Sequence, residues 1–536
     1  MAKATKRAAS VKKTTSARTS NGLSPEAKLE ELRRRLREIS DLGAAGDVLS
    51  WDQQTYMPDG GADARGRQRA MLSRLSHERA VDPALGRLID ALTPHADGLP
   101  YDSDDASLVR VARRDFEKAI KVPPEFVARS NAHTSASYDA WTRARPENDF
   151  ARMLPFLEKS IALSQEYAGF FAPFKHVADP LIDDADPGMT TASIRNLFAD
   201  LRSELVPTVH AVTEQPVIDD SCLHGSFSEP GQLAFDLAVV DRLGYDFRRG
   251  RLDKTHHPFC TKFSIGDVRI TTRVNETDVS EALFTMMHET GHALYEQGVS
   301  PTLEATPLGW GTSSGVHESQ SRLWENVVGR GRGFWTSFYP ALQKAFPEQL
   351  GSVPFETFYR AINKVVRSLI RTEADELTYN LHVMLRCDLE LEMLEGRLPI
   401  KDLPEAWRAR MQADLGLAPP DDRDGCLQDV HWYSGLIGGA FQSYTIGNIL
   451  SAQFHGAAIK AHPEIPSEIV HGSFATLHGW LKEHIYRHGR KFQPNELIER
   501  VTGGPLSMQP YLAYLRSKYG ELYRLPPPQK ASQQSS

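Results

Sequence analysis

Along most of this chain apolar residues recur at three- and four-residue spacing, and strict alternation is confined to one short stretch. Amphipathic helical patterns run over Glu26–Leu42, Ala106–Ile120, Ala151–Phe171, Thr191–Val206 and Gln232–Leu243. A further apolar surface made by Ile362, Val365, Val366, Leu369 and Ile370 predicts one long helix over roughly 355–395. The exception is the stretch in which Asp267, Arg269, Thr271 and Arg273 alternate with Val268, Ile270, Thr272 and Val274, the pattern of a strand with one polar and one apolar face. Phe263 and Ile265 before it, with Gly266-Asp267 as a turn, extend that strand into a hairpin. The predicted class is mainly α with a small β-hairpin or sheet.

No Pro/Gly/Ser-rich linker interrupts the interior, so residues 26–524 read as a single helical unit with subdomains around a cleft. Residues 1–25 carry Lys3, Lys6, Arg7, Lys12, Lys13 and Arg18 and no acid before Glu26. They read as a disordered basic tail, with an organelle transit peptide or a nucleic-acid contact as alternatives for the tail alone. The ending Leu525-Pro-Pro-Pro-Gln-Lys-Ala-Ser-Gln-Gln-Ser-Ser536 reads as a second unstructured tail.

The helix that carries chemistry is Ser280–Gln297, which contains His288-Glu-Thr-Gly-His292. Positions i and i+4 of a helix lie one above the other, so His288 and His292 present their rings to one point. Glu289 can reach a water held there and take its proton. Asp278 and Glu281 have capping-box spacing, Ala282, Leu283, Met286 and Met287 form the apolar stripe, and Gly291 keeps the turn between the histidines slim. A catalytic zinc takes three protein ligands and leaves a place for water. Candidates for the third are Glu296, Glu304, Glu318 and Glu325. Glu296 lies on the same helix face, which suits the surface or a supporting contact, and Glu304 falls in a proline-punctuated loop. Glu318 follows the flexible Gly309–Gly315 segment and opens a second helix facing the first, which makes it the preferred ligand. Glu325 is a helix-face carboxylate that can support the site from behind.

Five separated motifs together resemble the carboxypeptidase Taq family of metallocarboxypeptidases. They are Asp267-Val-Arg-Ile-Thr271, His288-Glu-Thr-Gly-His292, His317-Glu-Ser-Gln320, Ile370-Arg-Thr-Glu-Ala-Asp375 and Gly425-Cys-Leu-Gln-Asp-Val-His-Trp432, in the family's order. The resemblance implies a helical saddle-like peptidase fold with a deep groove, ligands His288, His292 and Glu318, Glu289 as general base, and a homodimer. The implied reaction is metal-dependent hydrolysis of the C-terminal peptide bond of peptides, with broad specificity, through a metal-bound water. Zn2+ is the expected ion, and Co2+ or Mn2+ also suit two imidazoles and a carboxylate. A zinc oligopeptidase that cuts internally, and a noncatalytic peptide-binding protein on the same scaffold, are the rivals.

Arg371 sits among hydrocarbon, and a guanidinium fork suits bidentate capture of a free C-terminal carboxylate. A structural pair with Asp375 at i,i+4 is the alternative. His431 and Tyr444 are candidate donors to the oxyanion, against the plainer reading as hydrogen-bonded core residues. Gln428 and Asp429 are expected to orient their neighbours, and the glycine-rich Gly435–Leu450 segment to line the cleft. Asp267 and Arg269 are candidate contacts along an extended substrate, or a solvated ion pair. Asp52 sits on the cleft rim or in a turn.

Charge narrows the partners. The chain has 62 basic and 69 acidic residues, and without its basic tail the body is near −13, which argues against a nucleic-acid-binding core. Cys222, Cys260, Cys387 and Cys426 form no C-x-x-C pair and suit a reducing compartment. With no long apolar run, no membrane span is expected, and with no apolar signal core the expected location is cytoplasmic. No glycine-rich phosphate loop is present.

Overall fold

The computed structural model describes residues 23–525, so the two expected tails fall almost wholly outside the described residues. Ser24 starts the first helix: its Oγ accepts from the Ala27 amide at 3.3 Å, and Pro25 at the first position lacks only an N–H that would go unpaired. The first helices are α1 Pro25–Thr55, α2 Ala62–Ala80, α3 Pro83–Ala96, α4 Asp104–Ala119, α5 Pro124–Glu147, α6 Phe150–Gly169, α7 Asp179–Ala185, α8 Thr191–Thr213 and α9 Glu229–Leu243. Three strands follow, β1 Leu252–Lys254, β2 Cys260–Ser264 and β3 Asp267–Thr272. Then come α10 Glu281–Gly298, α11 Ser314–Arg322, α12 Arg332–Ala345, α13 Pro347–Leu350, α14 Phe355–Ala361 and α15 Tyr379–Leu394. The last are α16 Leu403–Leu415, α17 Gln442–Ala461, α18 Ile465–Val470, α19 Ala475–His484, α20 Pro494–Thr502 and α21 Gln509–Tyr523. The mainly α class with a small sheet is what the chain forms.

All five amphipathic patterns are helices, the first extending thirteen residues past Leu42 to Thr55. β3 is the middle strand, parallel to β1 and antiparallel to β2, with the expected hairpin at Gly266. Its polar face is less solvated than the alternation suggests. Thr271 is fully buried, and its Oγ1 both accepts from the Phe259 amide at 2.8 Å and donates to the Phe259 carbonyl at 3.0 Å. A small apolar core of Leu29, Leu32, Leu36, Leu88, Ile89 and Val109 joins α1, α3 and α4 and reaches Ile265 of the hairpin and Val299 after α10. The main core fills the rest of the molecule. Among the described residues no helix is long and apolar enough to cross a membrane.

One expectation fails outright: residues 355–395 are not a single helix. α14 stops at Ala361, and only a 3-10 turn at Arg371–Glu373 interrupts the irregular chain before α15 begins at Tyr379. Asp375 explains the break. Its carboxylate accepts from the backbone amides of Val366 (3.1 Å), Leu377 (3.0 Å) and Thr378 (3.0 Å), giving those donors a partner other than a helix carbonyl. The apolar run read as a helix face is therefore irregular chain, buried at Ile362 and Val365 and half-buried at Val366, Leu369 and Ile370, and the i,i+4 pairing of Arg371 with Asp375 does not exist.

The helices around α10 approach closely where glycine permits it. A Cβ on Gly291 would lie 2.5 Å from the Gln320 carbonyl oxygen of α11, and one on Gly447 of α17 would lie 2.5 Å from Glu318 Cγ. α11 is thus held between α10 and α17 at backbone-to-backbone distance. Beyond Arg322 its path continues as a π-helical segment, Leu323–Val328. Such wider turns change which side chains share a face.

Candidate active site

Asp278 sets the start of α10, because its Oδ1 accepts from the Ser280 amide (2.7 Å), the Ser280 hydroxyl (2.7 Å) and the Glu281 amide (3.2 Å). The reciprocal half of the expected capping box is missing, since the Glu281 carboxylate turns to Arg273 and Asn275. From this start, His288 and His292 reach the same region one turn apart. Their Nε2 atoms lie 3.7 and 3.4 Å from Glu318 Oε2, and one ligand atom from each of the three residues falls within 4.8 Å of the others. Two ligands about 2.0–2.2 Å from a tetrahedral ion stand about 3.3–3.6 Å apart. The three side chains therefore have the span of a single small cation, with a fourth position open.

Each of these three is gripped from behind. His288 Nδ1 lies 2.9 Å from Glu325 Oε2, the carboxylate that the π-helical segment carries. Glu318 Oε1 accepts from Arg322 Nε at 2.7 Å, leaving Oε2 toward the imidazoles. His292 Nδ1 lies 2.5 Å from His317 Nδ1, whose Nε2 is 2.8 Å from Glu296 Oε1. Glu296 is not at the surface: it is buried and paired with Lys262 Nζ at 2.7 Å. Glu304 is elsewhere, accepting from the Ile265 amide at 2.8 Å.

Electrostatics suits cation binding at His292 and the carboxylates, while at His288 burial is outweighed by Glu318 and Glu325, which favour the charged ring. Burial pushes the His292 imidazolium down to about 4, so the neutral ring a metal requires is the stable one. Burial works against charge on Glu318, yet Arg322 and His288 hold that carboxyl well below its usual range. The same contest leaves Glu325 at about 2, through Arg322 and His288, and Glu296 at about 2, through Lys262 and His317. Glu289 differs from all of them. It is 7% exposed, and burial raises it to about 7, which is where a group that must both take and return a proton is most effective.

A second cluster stands beside this one. Arg371 is buried, with Nε and Nη2 each donating at 2.8 Å to the two oxygens of Asp429 and Nη1 donating at 2.8 Å to the Tyr379 hydroxyl. Three of its five N–H groups are used, and two remain. Burial opposes its charge, but Tyr379 and Asp429 raise it further above its usual value. Asp429 also accepts from Arg386 Nε at 2.6 Å and faces His431 Nδ1 at 3.1 Å. Gln428 accepts from the Arg371 amide at 2.9 Å and from Arg386 Nη2 at 2.8 Å, so both residues orient neighbours as expected. His431 Nε2 is 3.1 Å from the Tyr444 hydroxyl. Tyr379 joins the clusters, since the guanidinium of Arg322, which holds Glu318, lies 4.4 Å over its ring.

Asp267 and Arg269 pair with each other through two 2.8 Å bonds, and the guanidinium lies 4.3 Å over Trp51 and 4.8 Å over Phe263. They tie β3 to the end of α1. Asp52, in the last turn of α1 and not in a loop, accepts from Arg65 Nη2 at 2.6 Å. Tyr433 is a core residue whose hydroxyl donates to the Cys426 carbonyl at 3.1 Å. All four cysteines are free. Glu296 makes the supporting contact that was one of its two readings, whereas the contributions of Arg322, Tyr379, Arg386 and His317 have no counterpart in the sequence analysis. Only Arg322, four residues beyond Glu318 on one helix, had a readable spacing.

Two imidazoles one turn apart, a carboxylate from a neighbouring helix and a buried glutamate beside the first histidine define a metallopeptidase-type centre in a helical protein. The family described as carboxypeptidase Taq (M32) metallopeptidase matches residues 31–519, and the chain belongs to it. "Thermostable carboxypeptidase 1" of Thermus thermophilus is 40% identical over 517 residues, covering 94% of this chain and 100% of that protein. "Carboxypeptidase 1" of Bacillus subtilis is 36% identical over 493 residues, covering 91% and 97%. The M32 carboxypeptidase of Deinococcus radiodurans R1, known from its crystal structure, is 51% identical with a TM-score of 0.91, covering 93% and 100%. With that family and these relatives, the chain is a metallocarboxypeptidase.

Proposed function

We propose that the enzyme releases residues from the free C-termini of short peptides of varied sequence, using one divalent cation, Zn2+ in the first place, at His288, His292 and Glu318. Such an ion supplies Lewis acidity, polarising a carbonyl and easing proton loss from water. The chain's own residues do the remainder. Glu289 takes the proton of the attacking water on its carboxylate and returns it to the leaving amine, a role to which its value of about 7 is suited. The two unused N–H groups of Arg371 hold the terminal carboxylate of the substrate. His431 and Tyr444 are assigned to the oxygen on which negative charge develops, and because they share one hydrogen bond at 3.1 Å, substrate must break that contact before either donates to it. Asp267 and Arg269, paired with each other through two 2.8 Å bonds, are assigned a contact with the substrate through their side chains, since β3 is paired on both edges.

The observation that carries the exopeptidase reading is Arg371: a buried guanidinium with two spare donors, linked to the Glu318 side of the site through Tyr379. A free-ended peptide and its C-terminal amide, each incubated with metal-stripped and then metal-reloaded protein and followed by product mass, test it. Hydrolysis of the free-ended peptide alone is expected. Equal cleavage of the amide, at an internal bond, would replace this reading with that of an oligopeptidase. Glu289→Gln is expected to abolish turnover with metal still bound. The homodimer and cytoplasmic location implied by the family resemblance and the cysteine content belong to the same proposal.

A further inference from the structure

The two histidines are supported by unlike devices. His288 Nδ1 meets a carboxylate directly, whereas His292 Nδ1 meets a third imidazole, and the carboxylate stands one residue further back. The proton positions in this second arrangement follow from its far end. Glu296 Oε2 faces the Lys262 ammonium at 2.7 Å, and Oε1 accepts from the Gly311 amide at 3.1 Å. Both oxygens are thus occupied as acceptors, so His317 Nε2, at 2.8 Å, must be a donor. A neutral His317 then has a lone pair on Nδ1. At 2.5 Å from it, His292 Nδ1 must carry the hydrogen, which leaves the lone pair of His292 on Nε2, the atom 3.4 Å from Glu318 Oε2.

We infer that His317 is a positioning residue that fixes the metal-binding tautomer and ring orientation of His292, relaying the charge of Glu296 and Lys262 to it. The inference rests on the metal-centre reading above. It gives a use to a buried ion pair that the reaction scheme leaves idle: Lys262 and Glu296 are each about 5% exposed, and Glu296 connects to His292 through His317. The stacking fits the role. The ring of His317 lies 4.7 Å from that of His292 and 5.2 Å from that of Tyr295, so its plane is set by packing and not only by hydrogen bonds. His317, Glu296 and Lys262 also line one side of a cavity of about 420 Å³ together with Cys260, Trp310 and Arg490. His317 in the middle of the relay is 25% exposed and His292 17%, whereas its far end, Glu296 and Lys262, is closed off from solvent.

The test separates a relay from a filler. His317→Phe keeps a flat ring between His292 and Tyr295 but neither accepts nor donates. His317→Gln has one acceptor and one donor, spaced much as the two ring nitrogens are. Zn2+ affinity is measured on the full chain by competition with a chromogenic chelator, and thermal unfolding of the metal-free proteins is followed in parallel. The phenylalanine variant is expected to lose roughly 10–100-fold in affinity and the glutamine variant to recover most of it, with metal-free unfolding unchanged in both. Unchanged affinity in His317→Phe would overturn the relay, as would equal losses in the two variants. If His317→Phe does not fold, Glu296→Gln reads the same chain from its other end, and undiminished Zn2+ affinity there overturns the relay as well. Failure of the wild-type chain to bind Zn2+, or binding that His288→Ala leaves intact, is a different result and would sink the metal-centre reading itself.

Discussion

Gly447→Ala and Gly456→Ala place the same methyl group on the same helix, α17, and should act in opposite directions. Gly456 is exposed, and a Cβ there would meet nothing within 4 Å, so the change should stabilise the helix by about 1 kcal/mol. At Gly447 the new carbon would stand 2.5 Å from Glu318 Cγ, 2.6 Å from Glu318 Cβ and 3.0 Å from the Glu318 carbonyl carbon. Carbon atoms rest about 3.5–4.0 Å apart, so the overlap is about 1 Å. Glu318 cannot rotate away cheaply, because Oε1 is held by Arg322 at 2.7 Å and Ser321 Oγ lies 3.1 Å from Oε2. α11 and α17 must therefore part, at about 1–3 kcal/mol for overpacking, which outweighs the helix-propensity gain. Metal sites tolerate only about 0.2 Å of ligand displacement, so Zn2+ affinity should fall roughly 10–100-fold in Gly447→Ala and not at all in Gly456→Ala. Chelator competition gives the affinities. Chemical denaturation of the metal-free proteins gives the stabilities, and is the better choice because at about 2.1 cal/mol/K per residue a chain of this length shifts its Tm by only about 1 °C per kcal/mol. If Gly447→Ala binds Zn2+ as wild type and gains stability like its partner, the close approach of α17 to Glu318 is not what places that ligand.

Three further outcomes follow from buried contacts. Glu390 is raised to about 8 by burial, with Trp432 Nε1 donating to it at 2.7 Å. Its folded value is above its unfolded one, so it contributes stability below about pH 4.5 that drains away toward pH 8, at a slope on the order of 1 kcal/mol per pH unit. Glu390→Gln should therefore unfold at the wild-type temperature near pH 5 and above it near pH 8, and a pH-independent difference between the two melting curves refutes this. Tyr379→Phe removes the hydroxyl that accepts from Arg371 but keeps the ring under Arg322. It should raise KM for free-ended peptides several-fold, as expected for about 0.5–1.5 kcal/mol from one lost hydrogen bond, with metal affinity unchanged. Arg371→Lys loses the fork on Asp429 and should cost more in kcat/KM, roughly 10–100-fold, and an unaltered kcat/KM would remove Arg371 from substrate binding.

Much of this architecture was legible in the chain because periodicity reports burial on one face. α1, α4, α6, α8 and α9 all show it, and the helix carrying His288 and His292 shows it together with an i,i+4 spacing that has a chemical meaning. α2 was not legible for the opposite reason. It buries none of its residues, so its sequence carries no apolar stripe to read. The irregular stretch at 362–378 was misread because a buried loop and a buried helix are equally apolar, and the difference lies in Asp375 taking backbone donors that no spacing rule reveals. Within the candidate site, Glu318 was readable from its position after a flexible segment. Of the residues that hold it from behind, Glu325 and Glu296 were readable from helix spacing, whereas Tyr379, Arg386 and Lys262 were not, since they reach it only through tertiary contacts.

Those contacts carry an argument about how the two halves of the site stay in register. The metal cluster is built from α10 and α11, and the guanidinium cluster from the loop at 371 and the segment at 429–431, more than fifty residues beyond. A carboxypeptidase needs a fixed distance between the group that holds the terminal carboxylate and the group that activates the scissile carbonyl one residue away. α17 touches both, through Gly447 against Glu318 and Tyr444 beside His431, and Tyr379 adds a side-chain link: its hydroxyl accepts from Arg371, and its ring carries the arginine that holds Glu318. Burial makes that link stiff, because Tyr379 is 6% exposed and sits at the start of a helix buried on nearly every side. Cutting the ring away, as in Tyr379→Leu, should therefore do what Tyr379→Phe does not and lower Zn2+ affinity together with peptide affinity, since Arg322 loses its platform and Glu318 its anchor. Peptide binding lost with Zn2+ affinity intact in Tyr379→Leu would mean that the two clusters keep their spacing by some other route.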